Sequence, residues 1–305
     1  MSAASPHQGP RTVRALDRRT FLAGVAAAGV LAACGDDDSD TADADFTDEF
    51  PDTVQAGGGE FIIVQRIPPD ILVPGTVRYP IQLSRNAEFV NDGPDELRAE
   101  LADLGGNPLG QSVVAARRDV TPAAYYDFRV DIDEPDFYRL LIEGGPTDGV
   151  AFQVLAPEEV PIPQPGQVLP GFDTPTVADD GGLEAICTLD PPCDFHSVTL
   201  SDALNTDKSV AYLVGTPAFC STGTCIPALQ ALIEVMPDFA DTTVAVHAEV
   251  YLDSTATELA PAMVASGLRF EPALFITRPD GTISERLDGI WDDTELREAL
   301  ERALA

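Results

Sequence analysis

The side chains with most chemistry to offer in this chain are thiols. Cys220 and Cys225 flank Ser-Thr-Gly-Thr, directly after an apolar run at 210–214 and directly before Ile226, Leu229, Leu232, Ile233 and Met236, which recur at helical spacing. The order is buried strand, turn, cysteine, helix, with Pro227 in the first helical turn, where proline is tolerated. A thiol near a helix N-terminus meets unpaired backbone N–H groups and the positive end of the dipole. Both favour the thiolate, the form that attacks disulfides. Five steps of ideal helix rise ~7.5 Å and point the two side chains apart, whereas a disulfide needs Cα atoms within roughly 4.4–6.8 Å. Bonding Cys220 to Cys225 therefore requires 221–224 to be a loop, and Gly223, free to take positive φ, permits it.

The composition bounds the elements that must position this pair. The chain has 305 residues, 44% hydrophobic and 23% charged, enough for two domains with real cores. The formal net charge is −33 and Lys208 is the only lysine. Such a surface repels nucleic acid and anionic lipid head groups, so no nucleic acid is expected as partner. At the N-terminus, Arg11, Arg14, Arg18 and Arg19 precede an apolar stretch at 21–33 that is too short to span a bilayer. The segment Asp17-Arg18-Arg19-Thr-Phe-Leu resembles a twin-arginine export signal, with Asp in place of the usual Ser or Thr. Leu31-Ala-Ala-Cys34-Gly resembles a lipobox, which implies cleavage before Cys34 and lipidation of that cysteine. Residues 1–33 are thus read as an export signal, and the Asp-rich 34–59, without hydrophobic periodicity, as a disordered tether. The expected location is the extracytoplasmic face of the cell membrane, lipid-anchored.

Outside the cytoplasm the four remaining cysteines form an even set in which disulfides persist. Cys187 and Cys193 enclose Thr-Leu-Asp-Pro-Pro, just before Ser201-Asp-Ala-Leu, which reads as a capped short helix. This loop is read as a structural disulfide. The alternative is a resolving pair that exchanges with Cys220/Cys225, and four cysteines allow three connectivities. His196, three residues after Cys193, raises zinc ligation, but a fourth ligand is missing in the sequence and no metal or other cofactor is expected. His247, on a strand with Glu249 on the same face, is read as a structural histidine. No phosphate-cradling glycine loop, serine nucleophile elbow or HExxH is present.

Along the chain, 60–156 has a β pattern. Val77, Tyr79, Ile81 and Leu83 alternate with polar residues, as do Leu97, Ala99 and Leu101, then Tyr126, Phe128, Val130 and Ile132, with turn signals at Asn91-Asp-Gly-Pro, Gly105-Gly-Asn-Pro and Gly144-Gly-Pro. Six or seven short strands predict an immunoglobulin-like β-sandwich, and Glu134-Pro-Asp-Phe-Tyr138 resembles the turn into the tyrosine-bearing strand of such folds. Residues 157–182 carry six prolines and read as an extended linker. Beyond it, 243–250 reads as a strand and 257–266 as a helix interrupted or kinked at Pro261. Pro272, an apolar strand, a Pro-Asp-Gly turn, a second strand and a closing helix from Asp293 follow. Trp291 is expected to cap the core beneath that helix.

Pro272 followed by this hairpin resembles the cis-proline hairpin of the thioredoxin family. With the Cys220/Cys225 element before it, 183–305 is read as a thioredoxin-like α/β domain, giving an α+β chain overall. Thr-Pro-Ala-Phe-Cys-x4-Cys, with Ile-Cys-Thr and Pro-Pro-Cys-x-Phe-His upstream, resembles secreted thioredoxin-domain lipoproteins of high-GC bacteria. The resemblance implies a thiol–disulfide oxidoreductase with Cys220 attacking and Cys225 resolving, and with Phe219, Pro272 and the backbone of Glu271 lining the groove for an extended substrate. Its partners would be thiols or disulfides of secreted or membrane proteins and a redox partner. The chain departs from the family in having Phe219 where thioredoxins carry Trp, and Val214 where they carry a buried Asp. Two alternatives stand beside this reading. One is a surface adaptor with a redox-inert scaffold. The other is a copper chaperone resembling the Sco group, although that group has three residues between its cysteines and a histidine near the later proline loop, where 269–272 has none.

Overall fold

The computed structural model describes residues 58–305. The export signal with Arg18 and Arg19, the lipidation site Cys34 and the tether as far as residue 57 lie outside the described residues. The described chain is mixed α+β with more strand than helix, and none of its helices is long and apolar enough to cross a membrane.

The first eight strands are β1 Ile62–Gln65, β2 Gly75–Arg85, β3 Glu88–Phe89, β4 Glu96–Asp103, β5 Pro108–Arg118, β6 Tyr125–Ile132, β7 Asp136–Ile142 and β8 Val150–Val154. Every pairing among them is antiparallel, in the order β1-β2-β6-β5-β4-β7-β8, with β3 on β2. Strand β5 turns the sheet over: it pairs with β4 along most of its length and with β6 only through Arg117 and Arg118. The two halves then face each other, and the Tyr79 ring of β2 lies 4.8 Å from Phe152 of β8. Only Ala115 of β5 is buried, with Val113 packed against the core, so few apolar residues mark the strand in sequence; backbone pairing and the ion pairs of Arg117 and Arg118 hold it. Tyr138 Oη donates to Glu134 O at 2.8 Å, a hydrogen bond back across the turn into its own strand. Strand β2 alternates as its sequence implies, yet it is buried on both faces from Val77 to Ser84, because the second half of the chain covers its outer face.

That half contains α1 Leu200–Leu204, β9 Ser209–Val214, α2 Cys225–Phe239, β10 Thr243–Ala248, α3 Pro261–Ser266, β11 Ala273–Thr277, β12 Ile283–Asp288 and α4 Asp293–Leu304. The sheet order is β10-β9-β11-β12, with β9 and β10 parallel and β11 antiparallel to both β9 and β12. All six residues of β9 are buried, as a central strand covered on both faces demands. Leu213, Leu274, Ile276, Leu287 and Trp291 form one core with α2 and α4, and Trp291 lies beneath α4. Tyr212, Val214 and Phe275 on the opposite face belong to the same cluster as the β2 and β6 side chains, so the two halves share a core.

Local details differ from the sequence reading. Ile226 and Ile233 of α2 are exposed, since Ala228, Ala231 and Val235 complete the buried face. Helix α1 is capped by Thr199, whose side chain accepts from Asp202 N, and not at Ser201. Pro261 starts α3 and does not kink a longer helix, consistent with its fixed φ. Residues 157–182 do not stand free. Gly166 N donates to Ile283 O and Ile283 N to Gln167 O, both at 2.8 Å, and Ile162, Leu169 and Thr174 are buried.

The shared interface also carries charge. Arg78 of β2 grips Glu295 of α4 with both ends of its guanidinium, at 2.6 and 2.8 Å, and donates to Asp288 O and Ile290 O. Tyr125 Oη donates to Glu295 at 2.6 Å, and Arg129 reaches Glu295 at 3.0 Å and Glu285 at 2.6 Å. Glu295 has no solvent exposure. Burial alone would raise its pKa, but the Arg78 guanidinium prevails and holds it at about 2.

Candidate functional site

Strand β9 ends at Val214, and Gly215-Thr-Pro-Ala-Phe carries the chain from the sheet to Cys220. Residues 220–224 form a turn in which Gly223 N donates to Cys220 O, and Gly223 has φ +69°, so the sequence's requirement for a loop between the cysteines is met. Cys225 is the first residue of α2, and its backbone N–H, one of the unpaired donors of the helix start, points at Cys220 Sγ from 3.3 Å. Thr222 Oγ1 is 3.2 Å from the same sulfur. The Cys225 thiol is the largest cause holding Cys220 down, and with these donors it outweighs burial to bring the pKa to about 5. Cys220 is partly exposed and Cys225 is buried, so the first thiol can meet a partner and the second cannot. Burial, then the hydrogen bond to Cys220 and the charge of Glu271, push Cys225 well above the ordinary thiol range. Both cysteines are free thiols here, as are Cys187 and Cys193.

Glu271 contributes its side chain as well as its backbone. The resemblance assigns only its backbone to a substrate groove, but its side chain is buried, accepts from Thr216 N, and lies 3.3 Å from Cys225 Sγ. Val214, six residues before Cys220, is apolar and buried, and the carboxylate beside Cys225 comes from the residue before Pro272. The sequence signal was an acid beside the key proline. The Glu271–Pro272 peptide is cis, and Pro272 is buried against Gly215, which follows β9. A Cβ on Gly215 would lie 3.4 Å from Pro272 Cβ and 3.7 Å from Cys225 Sγ, so these three residues converge on one point. Phe219 is half-buried with its ring edge-on to Tyr251, centroids 6.1 Å apart, and packs as a flank of the Cys220 loop.

The second cysteine pair lies close behind. Cys187 Sγ and Cys193 Sγ are 3.8 Å apart, and His196 and His247 complete a cluster of four side chains. His247 was legible only as a buried strand residue, and the strand register that aims it at a loop some fifty residues earlier was not. Thr188 links the two groups. Its hydroxyl accepts from Ala218 N at 3.0 Å and donates to Glu249 at 3.0 Å, while Thr188 N also donates to Glu249. Burial raises the pKa of Glu249 above the ordinary carboxylate range.

No protein-family model and no curated protein matches this chain. Among solved structures it is similar to a thiol:disulfide interchange protein of the thioredoxin family from Chlorobium tepidum TLS, with 15% identity and a TM-score of 0.34, over 47% of this chain and 98% of that one.

Proposed function

We propose that the protein is a thioredoxin-like thiol–disulfide oxidoreductase working through Cys220 and Cys225. The observation that carries this reading is the asymmetry of the pair: a partly exposed sulfur held toward the thiolate by the Cys225 thiol and the start of α2, and a buried thiol whose sulfur lies 3.3 Å from a carboxylate. Cys220 thiolate attacks a substrate disulfide, forming one S–S bond while the substrate's breaks and its leaving sulfur departs as thiolate. Cys225 then passes its proton to Glu271 and attacks Cys220 Sγ. This releases the second substrate thiol and leaves Cys220–Cys225 oxidised and the substrate reduced, and the same steps reversed oxidise a dithiol. Glu271 thus takes the part of the buried acid whose place Val214 occupies. Export, lipid anchoring through Cys34, substrates among secreted or membrane proteins, and an immunoglobulin-like class for the β-region belong to the same reading, resting on the sequence patterns above.

The test is equilibration of the full chain against glutathione, with Cys220 and Cys225 followed by mass-tagged alkylation. A reduction potential between about −120 and −270 mV supports exchange, and one below about −300 mV would mark a structural bridge and overturn it.

A further inference from the structure

We propose that Cys187, Cys193, His196 and His247 form a tetrahedral zinc site separate from the exchange pair. All four donor atoms lie within 4.8 Å of one another. Zinc with bonds of about 2.3 Å to sulfur and about 2.0–2.1 Å to nitrogen sets tetrahedral edges of about 3.8 Å between sulfurs, about 3.3 Å between nitrogens and about 3.6 Å between unlike donors. The corresponding separations are 3.8 Å for Cys187 Sγ to Cys193 Sγ and 3.2 Å for His247 Nδ1 to His196 Nε2. From Cys193 Sγ to His196 Nε2 and to His247 Nδ1 they are both 3.4 Å, and from Cys187 Sγ to His247 Nδ1 3.8 Å. The two sulfurs stand at a coordination edge, nearly twice the ~2.0 Å of a disulfide bond. The fourth ligand, which local spacing around Cys193 and His196 lacks, is supplied by β10.

The surrounding contacts are those a ligand set needs. His247 Nε2–H donates to Gly215 O at 2.9 Å, which fixes the tautomer and leaves the Nδ1 lone pair facing the other three donors. Cys193 N donates to Cys187 Sγ at 3.5 Å, and His247 N to Phe195 O at 3.0 Å, so the cysteine loop is already tied to the strand. Both histidines are buried, at 2% and 1% exposure. Two sulfurs and two nitrogens at tetrahedral edges select zinc over oxygen-seeking cations. Four protein donors leave no open position, so the ion is structural. It clamps the 187–196 loop to the end of β10, and through Thr188 it steadies Ala218 beside Cys220.

The test uses the full chain carrying Cys220→Ser and Cys225→Ser, which removes the other thiol–carboxylate cluster, purified under reductant, stripped with chelator and titrated with Co2+ and with Zn2+. The expected result is one ion per chain, a tetrahedral Co2+ visible spectrum with thiolate charge-transfer bands, and a zinc X-ray absorption shell of two sulfurs and two nitrogens. Cys193→Ser and His247→Asn abolish these signatures. Should either variant fail to fold, the absorption shell of the parent protein decides by itself. Absence of stoichiometric metal in the Cys220→Ser/Cys225→Ser protein, a shell without two sulfurs, or a Cys187–Cys193 disulfide that excludes zinc overturns the site. Because the exchange cysteines are absent throughout, the outcome is independent of whether the protein catalyses disulfide exchange.

Discussion

Replacing Cys225 with alanine tests the electrostatics of the exchange pair most directly. The fall of Cys220 from an ordinary 9 to about 5 tilts it toward the thiolate by about 5 kcal/mol, at ~1.36 kcal/mol per pKa unit. The Cys225 thiol is the largest cause, and a hydrogen bond to a charged acceptor contributes roughly 1.5–3 kcal/mol. Its removal should therefore raise the Cys220 midpoint to roughly 6–7. The Cys225 backbone N–H and the Thr222 hydroxyl remain and keep it below the free-thiol value. The assay is the iodoacetamide alkylation rate of Cys220 across pH, read on its peptide by mass spectrometry. The pKa of Cys220 is depressed in the folded protein, so its stabilisation of the reduced form is complete above pH ~9 and disappears as pH falls through 5. At pH 7 about 3 kcal/mol of it is present, equivalent to ~60 mV toward a more oxidising couple. A wild-type midpoint above 8, or a midpoint unmoved by Cys225→Ala, would refute the argument.

Three further outcomes are expected. Glu271→Gln removes the acceptor of the Cys225 proton, so the resolving step should slow by about 10²-fold and a Cys220 mixed disulfide should accumulate in quenched reactions, with alkylation of Cys220 little changed; unaltered single-turnover rates would exclude the carboxylate from the path. Arg78→Ala takes from the buried Glu295 its main partner, leaving Arg129 and Tyr125, and should cost up to about 3–5 kcal/mol in denaturant unfolding, whereas a loss below about 1 kcal/mol would mean the two halves do not depend on this pair. Glu295 is held at about 2, against ~4.3 for a free glutamate, so its contribution is complete above the unfolded value and lost as pH falls through about 2. On this basis Glu295→Gln should flatten the acid limb of stability between those values, and an unchanged limb would contradict the assignment.

Much of the Cys220/Cys225 arrangement was legible because its determinants are local. An apolar run, a glycine in a four-residue gap and helical periodicity after Cys225 are sufficient to place one thiol in a loop and the other at a helix start, and β9, Gly223 and α2 stand there. The closing helix was equally local, with Asp292 as its cap and Trp291 beneath it. Strand β5 escaped because, apart from Ala115 and Val113, it places no apolar side chain on the core, leaving too little hydrophobic pattern to read.

What tertiary structure alone decided are contacts made across long stretches of sequence. Cys225 meets Glu271 forty-six residues on, Arg78 meets Glu295 across 217, and His247 completes the Cys187, Cys193 and His196 cluster from the parallel strand β10. Residue type and spacing limit what each of these side chains is able to do, since thiols, imidazoles and carboxylates carry their chemistry with them. Which of them come together is set by strand register and by the packing of the two halves into one core, and that proximity sets which thiol is pushed down, which is pushed up, and which carboxylate lies beside it.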